Sequence, residues 1–325
     1  MVRAYLFDRD KGSEVDSWAD AAAALGKDDV LWLDVTDPTE DEKSSVFAAF
    51  GVTEVPEWRS GDPDSAARVD QGEDYLRVTA VAVSDEEKDP ARERIVVDCF
   101  VGLNWLLTAH DADVAVIDAF RERVSGKGEA GTLDAPEFLA TLLESVIASY
   151  LRAFDEIEAT LETFDLEALK SPSGDPEKQI AVLVAARGRV GRLRRSLSPH
   201  REVFMHLSHS EFDPISSEGS AERFAELATR VDAALATARD AKDGIASSFD
   251  VLIVRTEHKT TEIIKVLTLV SILLLPGTLL AGVAGMNVNF GAHVFVHSPL
   301  FWGVVTAIIL IAFGSLGLAK LRRWI

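Results

Sequence analysis

A chain of 325 residues with 47% apolar side chains has enough material for a sizeable buried core in one or two domains. Its formal net charge of −20 repels nucleic acid and anionic lipid headgroups and attracts cations. The single cysteine, Cys99, excludes a disulfide framework within one chain, and the charged opening MVRAYLFDRDKGSEVDSWAD is unlike a signal peptide, which suits a reducing, cytoplasmic body.

Residues 1–125 alternate strand-like and helix-like stretches. Strands are expected at VRAYLFD (2–8), VLWLDV (30–35), DYLRVTAVAV (74–83), RIVVDCFV (94–101) and NWLLTAH (104–110). Helices are expected at 16–25, 39–50 and 111–124, the second opened by a capping stretch, TDPTEDE, and closed by Gly51. The glycine-containing turn between Val101 and Asn104 predicts a hairpin. This is an α/β module, assigned to residues 1–130.

After the glycine-rich stretch SGKGEAG (125–131) the pattern turns to long helices, and residues 131–262 form a helical stalk region. Helices are expected at 137–170 and 177–210, separated by SPSGDP (171–176) and closed by EFDPISSEGS (211–220). From Ala221 to Ala284 the first proline is Pro276, which predicts one unbroken helix about 95 Å long at ~1.5 Å per residue. Phe224, Leu227, Val231, Leu235 and Ala238 recur on one face of it, which packs. A coiled-coil stalk in a non-transporting receptor has the same appearance. His200, His206 and His209 read as a surface cluster.

All 53 acidic residues precede Ile263, and only four of the 33 Lys and Arg follow Glu262. The first 262 residues therefore carry −24 and the last 63 carry +4. Val266–Ala284 and Pro299–Ala319 contain no charge, and each is long enough for a bilayer core of roughly 30 Å. We assign a first span at 263–284, an outer loop at 285–298, a second span at 299–320 and a basic tail at 321–325. Lys259 and Lys265 precede the first span and KLRR (320–323) follows the second, whereas the loop GMNVNFGAHVFVHS has neither Lys nor Arg. Positive flanks stay inside, so both termini are expected in the cytoplasm.

The first span has a polar face. Thr261, Thr268, Ser271, Thr278 and Gly282 follow helical spacing, and Pro276–Gly277 permits a kink. Hydroxyls gain nothing from lipid, so this face points at protein or at water. Packing through small residues explains part of the pattern, because the second span has its own in Gly303, Thr306, Gly314, Ser315 and Gly317. One polar-faced helix per chain encloses a watery path only if several copies form a ring. No P-loop, GxSxG or HExxH occurs, so nothing points to an ATP-driven pump or a hydrolase, and no enzyme is expected.

Gly285, Met286 and Asn287, closing the first of two terminal spans after a very long helix, resemble the CorA family of divalent-cation transporters. KVLTLVSILLLPGTLLAGVAGMN, LRRSLSPHREVF (193–204) and LWLDVTDPTEDE (31–42) are similar to further stretches of that family. The resemblance implies an α+β membrane protein: a funnel-shaped homopentamer with an α/β cytoplasmic domain and a stalk helix continuous with the pore-lining first span. Gly285, Met286 and Asn287 would form the selectivity filter, and Thr278, Leu275, Leu267, Ile264, Thr261 and Asp250 would line the pore. The polar-face argument adds Ser271 and Thr268. The implied cargo is hydrated Mg2+, with Co2+ or Ni2+ as companions, gated by cytoplasmic metal and with no cofactor. Carboxylates at subunit interfaces would sense that metal, with Glu226 and Asp89 as the candidate pair. Partners are further copies of the chain, the bilayer of the cell membrane and the metal ion; nucleic acid is not one.

Two departures from the family stand out. Ala284 precedes the motif where the family often has Tyr, and the loop after it carries no acid. His293 and His297 stand there instead, four apart, able to ligate Zn2+ or Co2+ or to titrate. An uncharged outer loop resembles the zinc-transporting ZntB branch, so Zn2+ transport, proton-coupled or not, stays open as an alternative. A membrane-anchored sensor or scaffold is the other.

Overall fold

A computed structural model describes residues 1–8, 12–27, 29–52, 66–84, 93–111, 114–125, 134–170, 175–212, 215–216, 218–285, 302–303, 305–311 and 313–314. The chain divides into two compact units, Met1–Ser248 and Phe249–Ile325.

The first unit is built on a seven-stranded sheet. Its strands are β1 (Val2–Phe7), β2 (Gly12–Val15), β3 (Val30–Thr36), β4 (Arg68–Gln71), β5 (Leu76–Val83), β6 (Arg94–Val101) and β7 (Trp105–His110), in the order β2-β1-β3-β7-β6-β5-β4. Only β3 and β7 run parallel; every other neighbouring pair is antiparallel. The five expected strands are present within two residues at each end. β2 and β4 were not foreseen, because four residues with mostly exposed side chains carry no alternating apolar pattern. The expected hairpin joins β6 to β7, with the Gly102 amide donating to the Trp105 carbonyl at 3.0 Å. A Cβ on Gly102 would lie 2.2 Å from the Trp105 ring, so any larger residue there would have to displace the indole.

Helices α1 (Trp18–Ala23), α2 (Glu40–Ala49) and α3 (Ala115–Ser125) belong to the same module. The expected capping stretch is a full capping box: Thr39 accepts from the Glu42 amide at 3.3 Å, and the Glu42 carboxylate accepts from the Thr39 amide at 3.0 Å. Leu31, Leu33, Val35, Phe47, Phe100 and Leu107 form the centre of one buried cluster. Cys99 is fully buried beside it in β6, and burial pushes its thiol pKa up.

Asp34 is a charged group held inside this sheet. Its carboxylate accepts from Thr108 at 2.7 Å, meets His110 Nε2 at 3.0 Å and Arg121 at 3.3 Å. Burial alone would raise its pKa. The bond and charge of His110, the Thr108 hydroxyl and the Arg121 guanidinium outweigh burial and hold it below the usual value.

Long helices follow: α4 (Ala135–Lys170), α5 (Pro176–Leu207) and α6 (Glu218–Gly285). α4 and α5 are fastened to β5 where the sheet stops short. β4 pairs only with Leu76–Thr79, so the backbone of Val81 and Val83 lies beyond its end. The Val81 amide donates to His200 Nε2 at 3.1 Å, the Val83 amide donates to the Ser149 hydroxyl at 3.1 Å, and the Tyr150 hydroxyl donates to the Val81 carbonyl at 2.7 Å. Side chains from two helices thus satisfy backbone groups that the short edge strand leaves over.

This corrects the surface reading of His200. It is fully buried, and burial lowers its pKa from 6.5 to about 4, so the neutral ring is the acceptor for Val81. His206 and His209 are exposed as expected.

Candidate ion pathway

α6 is a single helix from Glu218 to Gly285. Its first part carries Phe224, Leu227, Val231, Ala234 and Ala238 buried in the first unit, on the face the periodicity indicates. From Phe249 the same helix belongs to the second unit, and its side chains change role. Ile263, Ile264, Val266, Leu267, Leu274, Leu275 and Leu279 are all more than half exposed. Such a contiguous apolar surface is not left in water. This helix is also long and apolar enough to cross a membrane.

Pro276 sits inside α6, and the residues on both sides remain helical to Gly285. The helix therefore runs through the expected kink site without ending, although the Ile272 carbonyl loses its amide partner there. Around this point lies the contact with the other described helical residues of the unit. A Cβ on Gly277 would meet Ile308 at 3.7 Å. Leu269, Pro276, Gly277 and Leu280 are half-buried, as are Val305 and Ile308.

The expected pathway residues lie elsewhere on the helix. At about 100° per residue, Asp250, Thr261, Ile264, Leu267, Thr268, Ser271, Leu275, Thr278 and Gly282 share one arc of roughly 120°. The positions chosen by polarity and those chosen by resemblance therefore share a single face. Of these, Thr268 is half-buried and the rest are exposed, Leu267 and Leu275 each at 65%. Glu257 falls on the same arc one turn before Thr261 and is also exposed, a residue the sequence reading passed over. The continuous helix register identifies it: Asp250, Glu257 and Thr261 step by seven and four.

Three of the hydroxyls on this arc donate to their own helix. Thr261 donates to the Glu257 carbonyl at 2.9 Å, Ser271 to the Leu267 carbonyl at 2.9 Å, and Thr278 to the Leu274 carbonyl at 2.9 Å. Each oxygen is left with its lone pairs to offer. A row of uncharged acceptors suits water molecules whose hydrogens are turned outward by a central cation.

Gly285 is the last residue of α6; Met286, Asn287, His293, His297 and Asp89 lie outside the described residues. Glu226 is engaged elsewhere. It accepts from Arg223 at 3.1 Å and from Arg230 at 2.9 Å, and both arginines also bond Glu144. Hydrogen bonds from Arg230 and then Arg223 hold the Glu226 pKa below the usual carboxylate value. Among the described residues, no three His, Cys, Asp or Glu side chains gather as a metal site.

The family model described as CorA-like Mg2+ transporter protein matches residues 27–321. The chain belongs to this family. A cobalt/magnesium transport protein CorA of Methanocaldococcus jannaschii is 22% identical over 300 residues, covering 91% of this chain and 92% of that one. A cobalt/magnesium transport protein CorA of Thermotoga maritima is 22% identical over 224 residues, covering 69% of this chain and 63% of that one. The complete structure of the CorA magnesium transporter from M. jannaschii superposes with a TM-score of 0.77 at 20% identity, covering 100% of this chain and 99% of that one. The CorA fold thus extends over the α/β module, the long helices and the second unit. The relatives carry the names of transport proteins, in keeping with a chain that has no hydrolase or pump motif.

Proposed function

We propose that this chain is a divalent-cation channel of the CorA type, passing hydrated Mg2+, and with it Co2+ or Ni2+, through a homopentameric pore lined by α6. The observation that carries this reading is the uncovered polar arc on α6. The other described helical residues of its unit approach the Gly277 side, so packing against the described residues does not account for the hydroxyl row. An arc of one helix cannot enclose a path; several copies around an axis can. The spans at 263–284 and 299–320, with both termini in the cytoplasm, follow from the apolar runs and their positive flanks.

The chemistry fits the hydrated ion. Mg2+ gives up its water slowly, so rapid passage requires that the shell be kept. Asn287 at the mouth offers neutral amide oxygens to those waters without the tight hold of a carboxylate. Ser271 and Thr278 continue that acceptor role, while Leu275, Leu267 and Ile264 form apolar rings that dewet and close. Asp250 and Glu257 add negative charge towards the cytoplasmic end, and the −24 carried by the first 262 residues concentrates cations there. A gating role for Glu226 requires that metal displace Arg223 and Arg230 from it, so cytoplasmic metal would loosen that arginine pairing.

Metal uptake into proteoliposomes tests the proposal. Wild-type protein is expected to carry Mg2+ and Co2+, and Asn287→Ala to lose at least tenfold in flux or to lose discrimination among ions. Absence of flux for Mg2+, Co2+ and Zn2+, or an unchanged Asn287→Ala, overturns the channel. Zn2+ flux that exceeds Mg2+ flux and rises with an imposed pH gradient selects the zinc-transporting alternative, with His293 and His297 then the residues to replace.

A further inference from the structure

The five arginines of α5 between residues 187 and 195 divide into two sets. Arg189 and Arg192 reach the buried Glu93, at 2.7 Å and 3.1 Å. Arg187, Arg194 and Arg195 have no anionic partner among the described residues. They stand with Gly188 and Gly191 at helical positions i, i+1, i+4, i+7 and i+8, which is one face. Across from this face α6 presents Arg239 and Lys242, likewise without an anion among the described residues. Together they line an open groove of about 490 Å3 within the first unit.

Five exposed cations in one groove, none with an anionic partner among the described residues, are out of keeping with a chain of 53 acids and 33 Lys and Arg. Acidic side chains are plentiful enough to pair with them, as Glu93 does for their neighbours. The floor is also unusual. Gly188 and Gly191 lie in the helix interior, where glycine is less favourable than alanine. Their missing side chains leave space between the guanidinium groups. A Cβ on either would meet only an arginine Nη1 at 3.6 Å, so backbone crowding does not require glycine. Val184, exposed at the same groove, adds an apolar surface.

We propose that this groove binds a polyphosphate anion, the triphosphate chain of a nucleoside triphosphate in its metal-free form. Guanidinium forks match phosphate oxygens in pairs, and a groove of this volume is the size of a small-ligand site. The charge sets the preference. A free nucleoside triphosphate carries close to −4 at neutral pH, and bound Mg2+ removes two of those charges. Five cations therefore favour the unchelated form. That form accumulates when cytoplasmic Mg2+ falls, so the groove would report metal scarcity to a protein that carries the metal. The regulatory consequence rests on the transport reading above; the binding site does not.

Isothermal titration of the full-length protein in detergent, with ATP, tripolyphosphate and inorganic phosphate as probes, tests the site. ATP and tripolyphosphate are expected to bind, and phosphate at least tenfold more weakly. Saturating Mg2+ should weaken ATP binding at least tenfold, and raised salt should weaken it as well. Arg194→Glu combined with Arg239→Glu should weaken ATP at least tenfold; both side chains are exposed, so folding is not at stake. Arg152→Glu, an exposed arginine of α4, is the charge control and should bind as wild type. Equal binding by the double variant, or tighter binding of ATP with Mg2+ than without, overturns the proposal. So does absence of ATP binding, and a change of oligomeric state in the double variant would then make this face a contact between copies. None of these readouts involves flux, so the site and the channel fail separately.

Discussion

The two units of this chain treat the same kinds of residue in opposite ways. In Met1–Ser248 most leucine, valine and phenylalanine side chains are buried, and hydroxyls bridge distant parts of the chain, as Thr108 does between Trp32 and Asp34. In the described part of Phe249–Ile325, Ile263, Leu267, Leu274, Leu275 and Leu279 are exposed, Leu252 near its start is still buried, and the hydroxyls of Ser271 and Thr278 bond carbonyls of their own helix. α6 belongs to both, so one uninterrupted helix obeys two solvent rules along its length. A side chain's contribution to stability therefore depends on the surroundings it meets along the chain, not on its hydrophobicity alone.

The largest test of that contrast compares two apolar truncations. Phe100→Ala should cost about 3–5 kcal/mol, since the ring is fully buried against Phe47 and Tyr75. Leu274→Ala, exposed in the second unit, should stay within about 0.5 kcal/mol when both are read by chemical unfolding in detergent. Comparable losses would break the comparison.

The next effect concerns pH. His200 has its pKa depressed in the folded state, so the unfolded chain binds more protons between about 4 and 6.5. The contribution of a neutral His200 is therefore full above pH 6.5, falls as the pH drops through that window, and is spent below about 4. The loss is on the order of 3 kcal/mol. His200→Gln keeps an acceptor for Val81 and should flatten this part of the profile, measured as unfolding midpoint against pH.

The smallest test exchanges hydroxyls. Thr108→Val leaves Trp32 Nε1 without its acceptor and removes a donor from Asp34, at a cost of about 1–3 kcal/mol. Ser271→Ala removes a hydroxyl that serves only its own helix, and unfolding should shift by no more than about 0.5 kcal/mol. A large stability loss at Ser271 would show that its hydroxyl holds the assembly together and does not merely line a path.

The elements that the sequence made legible are those whose period or caps are strong. The capping residues at Thr39, the β6–β7 turn at Gly102 and the proline-free run from Ala221 each have a local physical cause, and each appears in the structure. β2 and β4 escaped because short, exposed edge strands owe their existence to a neighbour and not to their own pattern. His200 escaped for a related reason. Its burial depends on β4 ending early and leaving the Val81 amide to be satisfied from another element, which no local pattern encodes. For the candidate pathway, polarity alone picked out Thr261, Thr268, Ser271 and Thr278, the family resemblance supplied Leu275, Leu267 and Ile264, and Glu257 needed the register of one continuous helix.

Cys99 is the chain's single thiol, and it is sealed in β6 with its reactivity suppressed by burial. The natural protein is thus already a blank background for thiol labelling. A cysteine placed at Ser271, Thr278 or Arg239 would be the one group to take up a spin label or a fluorophore. Distances between copies, and their response to metal or nucleotide, could then be read without first removing a native residue from the core.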